Sequence, residues 1–144
     1  MKRTLAALPL VLLAAGITTA CSPTAGDVEE RLVTTVDGAS TIPVADLAPD
    51  DAKRFTIVCP YESVDDVAER LGVASATLPD LSERDDAQAF VTVTSDGVDS
   101  AELPRDRVDL CSSGGPWPVF YKGDDATAAV TRNDDDVYVV TRAG

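Results

Sequence analysis

Hydrophobic positions change period several times along the chain, and each change predicts an element. Val28, Leu32 and Val36 recur at helical spacing. Asp27 precedes them as a cap, with Glu30 three residues on in a capping-box arrangement, and Asp37-Gly38 closes the helix. Phe55, Ile57 and Cys59 then alternate with Thr56 and Val58, which predicts a strand from Arg54 to Cys59, stopped by Pro60. Ser63 with Asp66 three residues later repeats the capping signal. Behind it, Val64, Val67, Ala68 and Leu71 form an apolar stripe at i, i+3, i+4 and i+7, and Gly72 stands where a C′ glycine belongs.

The flanking segments are shorter. Residues 41–47 are extended and broken by Pro43, residues 49–51 form a turn or one helical turn, and residues 78–86 form a loop. Residues 88–95 alternate, with Ala89, Val91 and Val93 on one face and Phe90, Thr92 and Thr94 on the other. Asp96-Gly97 is a hairpin signal, and residues 98–103 return as a strand that Pro104 places at an edge. A short apolar segment, 108–111, leads into a loop at 112–118 and a strand starting at Val119. Residues 126–131 and 137–141 form a last hairpin around Asn133, Asp134, Asp135 and Asp136. Helix, strand and helix followed by several strands predict an α+β domain over residues 27–144. Two short helices are expected on one face of an antiparallel sheet of about four to six strands.

The first 20 residues read as an address. Lys2 and Arg3 precede an apolar run from Leu5 to Ile17. As a helix that run reaches roughly 20 Å, short of a bilayer core of about 30 Å, so a cleaved secretory signal is expected rather than an anchor helix. Ile17-Thr18-Thr19-Ala20-Cys21 resembles the lipobox of bacterial lipoproteins, with Thr18 where Leu is usual. The resemblance implies cleavage before Cys21, diacylglycerol on its sulfur, usually an acyl chain such as palmitate on its nitrogen, and a short tether over residues 21–26. The alternative is ordinary signal peptidase cleavage after Ala20, releasing a secreted protein. The block from Phe55 to Ser63 and the helix ending at Leu71-Gly72 resemble a strand–Pro-Tyr–helix block of small uncharacterised bacterial lipoproteins, which brings no catalytic residues with it.

Composition narrows the chemistry. The 144 residues hold 12 Lys and Arg, 25 Asp and Glu and no His, a net charge of −13. Loss of Lys2 and Arg3 with the signal leaves 10 basic against 25 acidic residues, or −15. Such a chain should repel nucleic acid, and it lacks the commonest general base and metal ligand. Of three cysteines, acylation of Cys21 leaves Cys59 and Cys111 as an even pair, expected as a disulfide in an oxidising compartment. The alternative is two buried thiols.

No catalytic constellation stands out. Ser112 and Ser113 have no His partner, and Lys53 and Lys122 lie in no catalytic motif. Paired acids read as solvated turns. A hard cation would use Asp134, Asp135 and Asp136, with Asp124 and Asp125 nearby if the hairpin pairs suitably, but the spacing is not that of an EF-hand. Trp117, between Pro116 and Pro118, is either an exposed aromatic anchor for a partner or, as the small core favours, a group folded onto the sheet. Tyr61, after Cys59-Pro60, carries the same ambiguity.

These readings predict a non-enzymatic interaction or accessory module without a cofactor. The lipid on Cys21 would hold it at the extracytoplasmic face of the cell membrane, where it would meet an envelope protein partner. A cation- or small-ligand-binding lipoprotein using acidic loops, a secreted enzyme inhibitor and an envelope hydrolase are the competing expectations.

Overall fold

A computed structural model describes residues 23–112 and 115–143. The first helix, α1, spans Ala25–Val36 and begins before Asp27. Its N-cap is Thr24 rather than Asp27. The Thr24 hydroxyl accepts the Asp27 N–H at 3.3 Å, while the Asp27 carboxylate takes the Thr24 N–H at 3.0 Å. Asp27 is thus the N3 partner of the capping box, and Ala25 and Gly26 belong to the helix rather than to a tether. Val28, Leu32 and Val36 are buried, as their spacing requires.

Among the described residues eight strands follow, interrupted by one further α-helix. They are β1 (Thr41–Pro43), β2 (Arg54–Val58), β3 (Ala87–Val93), β4 (Val98–Pro104), β5 (Val108–Asp109), β6 (Phe120–Tyr121), β7 (Thr127–Arg132) and β8 (Tyr138–Arg142). Short 3-10 turns occupy Val44–Leu47 and Ser75–Thr77. The helix α2 (Val64–Leu71) links β2 to the second of these turns, and Gly72 ends it at φ 67°, ψ 43°, the left-handed conformation glycine adopts without a Cβ penalty. Ser63 is its N-cap by position, but the side chain makes no capping bond.

The α+β class and the disulfide are present, and the strands divide into two sheets. One runs β4-β3-β2-β6 and is antiparallel; the other runs β1-β7-β8-β5, in which β5 pairs with β8 in parallel. The expected hairpins, β3–β4 and β7–β8, both form, and β4 with Pro104 is an edge. The departure lies in β5 and β1, two- and three-residue strands whose partners are distant in sequence.

The helices lie on opposite faces of the β4-β3-β2-β6 sheet. Phe55, Ile57, Phe90 and Phe120 face a core shared with α1 and the second sheet. Val58, Ala89, Val91 and Val93 face a smaller cluster with Val67 and Leu71 of α2 and Leu81. All seven positions of β3 are buried because both faces are covered. Two separated helices on one face would have left one side of β2 and β3 in water. No described helix is long and apolar enough to cross a membrane.

Candidate functional site

Cys59 and Cys111 form the expected disulfide, with Cα atoms 5.5 Å apart. It joins the end of β2 to the segment after β5. Closing a loop of 52 residues contributes about 4 kcal/mol in the chain-entropy model, an upper estimate. The bond also sets two aromatic segments side by side, Cys59-Pro60-Tyr61-Glu62 and Gly115-Pro116-Trp117-Pro118.

The segment around Cys111 is pinned from inside. Buried Gln88 donates to the Val108 carbonyl at 2.5 Å and the Pro104 carbonyl at 3.2 Å, and accepts the Leu110 N–H at 2.9 Å. The Trp117 indole N–H donates to the Leu110 carbonyl at 2.5 Å. Trp117 is 2 % exposed and meets Phe120 edge to face at 5.9 Å. It is therefore a core residue and not an exposed partner contact. Asp109 accepts the Cys111 and Ser112 N–H groups at 2.8 and 3.1 Å, the Ser112 hydroxyl, and two guanidinium contacts from Arg105 at 3.2 and 2.9 Å. Burial would raise its pKa; the hydrogen bonds from Arg105, Ser112 and Cys111 outweigh burial and hold it below the usual carboxylate value.

The turn after Cys59 is built differently. The Cys59 carbonyl accepts the Glu62 N–H at 3.3 Å, closing a β-turn with Pro60 at its second position and Tyr61 at its third. Tyr61 has φ 66°, the conformation for which type II turns take Gly or Asn. A bulky residue there costs roughly 1–2 kcal/mol. The Tyr61 N–H is nevertheless bonded to the Leu81 carbonyl at 2.9 Å, and the ring is 66 % exposed. Beside it, Glu62 and Arg70 pair at 2.5 Å, largely buried, leaving Glu62 Oε1 and Arg70 Nε without partners among the described residues. Tyr61 lines an open groove of about 410 Å3 together with the disulfide cysteines, Arg105 and Pro116.

The other candidates are scattered. Cys21 and the lipobox lie outside the described residues, as does Ser113. Ser112 is engaged by Asp109, Lys122 donates to the Asp50 carbonyl, and Lys53 sits at the opposite end of β2 from Cys59. Asn133 Oδ1 accepts the Asp135 and Val137 N–H groups, and Asp136 pairs with Arg132 at 3.1 Å, so this acidic stretch is an internally bonded hairpin turn. Asp124 and Asp125 precede β7 while Asn133 to Asp136 follow it, at opposite ends of a strand about 20 Å long. They do not join the hairpin acids, and among the described residues no group of three His, Cys, Asp or Glu could hold a metal.

Sequence reading located the cysteines and flagged Tyr61, but missed the reason to single it out. The available signal was Cys-Pro-Tyr-Glu read as a turn, with Pro second and a residue other than Gly or Asn third. No family model matches the chain, and no curated protein or solved structure is significantly similar to it.

Proposed function

We propose that this chain is a lipid-anchored extracytoplasmic interaction module that engages an envelope protein through the Tyr61 turn. The observation that supports the reading is Tyr61 itself, a large side chain that is 66 % exposed on a left-handed backbone where a turn favours glycine. Strain of this kind is retained where the side chain has a use. Tyrosine suits a contact residue because its ring gives contact area and its hydroxyl a polar handle. The disulfide and the Asp109 hydrogen bonds restrain the surface around it, lowering the ordering cost of binding. With 25 acidic residues on the chain, the partner surface is basic around a pocket that admits one aromatic ring.

Site-specific photo-cross-linking in the native host tests this. A cross-linker at position 61 should yield one discrete protein adduct, and one at Tyr121, which is 56 % exposed on β6, should not. Equal labelling from both positions, or none from either, would reject the Tyr61 surface. Intact-mass spectrometry tests the anchor separately: a chain beginning at Cys21 with a diacylglyceryl increment is expected, and an unmodified Cys21 refutes the anchored reading.

A further inference from the structure

Among the described residues the two sheets end in four edge strands, and three of these are protected by their shortness. β5 and β6 are two residues long and β1 is three. The fourth, β4, runs seven residues from Val98 to Pro104 and pairs with β3 along its whole length without a bulge. A long, regular edge of this kind is a template for a further strand.

The register identifies the unpaired backbone groups. Thr94 donates its N–H to the Gly97 carbonyl at 2.9 Å, so the hydrogen-bonded pairs of the β3–β4 ladder fall at Thr92 with Asp99, Phe90 with Ala101 and Gln88 with Leu103. The N–H and C=O groups of Val98, Ser100 and Glu102 therefore point away from β3, and none has a hydrogen-bond partner among the described residues. Ser100 and Glu102 are exposed, while Ala101 and Leu103, which alternate with them, are buried. The edge is thus held in place by its own core contacts, which lowers the ordering cost of adding a strand.

Charge decides which strand can pair. Asp99 and Glu102 stand on opposite faces of β4. Asp99 takes part in no ion pair among the described residues. Glu102 shares Arg84 with Asp86, which holds that guanidinium at 2.9 and 3.0 Å against 3.4 Å for Glu102. Arg31, on the α1 face, is engaged elsewhere: it donates to the Leu47 carbonyl, and its guanidinium carbon lies 5.6 Å from the Phe90 ring centre. A second copy of this chain would bring the same two acids and a net charge of −13 to the edge, and would be repelled. A strand with basic residues opposite Asp99 and Glu102 is attracted at both.

We propose that β4 takes up an extended segment of a partner protein as a fifth strand of its sheet, antiparallel to β4, with two basic residues three positions apart lying opposite Asp99 and Glu102. Backbone bonds to Val98, Ser100 and Glu102 supply the attachment, and the two charge pairs supply the selection. This surface is distinct from the Tyr61 turn and depends neither on it nor on a lipid at Cys21.

The probe is the N-acetylated, C-amidated hexapeptide Thr-Lys-Val-Thr-Lys-Thr, titrated into the full-length chain and followed by amide NMR. Paired antiparallel, its lysines fall opposite Glu102 and Asp99, and its middle threonine falls opposite Ser100. A Kd at or below about 1 mM is expected, with shifts and slowed amide exchange centred on Val98, Ser100 and Glu102. N-methylation of the middle threonine removes the donor that faces Ser100 and should weaken binding at least about tenfold. N-methylation of the valine, whose N–H faces away from β4, should leave binding unchanged. Replacing both lysines by glutamate should weaken binding at least about tenfold. Ser100→Pro removes an outward N–H without touching the β3 ladder, so the folded variant should lose the peptide. Asp99→Asn leaves the backbone unaltered and should weaken binding about threefold. No binding up to about 10 mM, a glutamate peptide as tight as the lysine one, tolerance of the N-methyl threonine or shifts confined to another face would each overturn the proposal. So would a concentration-dependent dimer in which the Ser100 amide becomes protected.

Discussion

Tyr61 and Trp117 occupy similar settings in the sequence and opposite ones in the fold. Each is an aromatic residue beside proline and near a disulfide cysteine. Trp117 is 2 % exposed with its indole N–H bonded inside, whereas Tyr61 is 66 % exposed on a backbone it adopts at a cost. The difference lies in what surrounds each. Trp117 lies beside the main core, where Phe120 meets its ring edge to face and the Leu110 carbonyl accepts its indole N–H. Tyr61 follows a strand whose two faces are already covered, so its ring has nowhere to go but outward.

The largest effect expected from this contrast is on Trp117. Trp117→Ala should cost about 3–5 kcal/mol in urea unfolding, since it leaves a cavity and an unpaired Leu110 carbonyl. A loss under about 1 kcal/mol would mean that Trp117 is not part of the core. Removing the disulfide by Cys59→Ser with Cys111→Ser should cost somewhat less, about 2–4 kcal/mol, measured the same way.

Next comes acid stability. Asp109 is more acidic in the fold than in the unfolded chain, where its pKa is near 3.9. The unfolded state therefore binds the proton more readily. The stability Asp109 contributes is complete above its unfolded pKa and is lost as pH falls through its folded pKa. Melting temperatures recorded downward from pH 6 should drop below about pH 4, and Asp109→Asn should show a shallower drop from a lower starting point. An unchanged acid profile in the variant would remove Asp109 from the account.

The smallest effect on stability is expected at Tyr61. Tyr61→Gly relieves a left-handed backbone worth roughly 1–2 kcal/mol but adds glycine's entropy to the unfolded chain. A net gain of up to about 1 kcal/mol should appear in urea unfolding. A loss of more than about 1 kcal/mol would show that the ring supports the fold, and would erase the contrast with Trp117.

Much of the framework was legible because it rests on local rules. The Val28–Leu32–Val36 stripe, the left-handed Gly72 stop, the Asp96-Gly97 hairpin and the edge position marked by Pro104 each depend on neighbours within a few residues. Asp27 was misplaced by one role because Thr24 and Asp27 can each read as a cap, and only the reciprocal hydrogen bonds distinguish them. The division into two sheets was not legible, since β1 and β5 are two or three residues long and pair with strands near the C-terminus. So short a segment has no period to read.

The sites divide along the same line. Setting Cys21 aside as the expected acylation site left Cys59 and Cys111 as the expected pair, and the fold bonds them. Composition alone determined the acidity and the absence of histidine. Tertiary structure alone decided that Trp117 turns inward and Tyr61 outward, and that the acids on either side of β7 lie at opposite ends of that strand. It also placed the Arg31 guanidinium over the Phe90 ring, 5.6 Å from its centre. These are relations between residues far apart in sequence, and burial, desolvation and cross-strand register arise only once the chain has closed on itself.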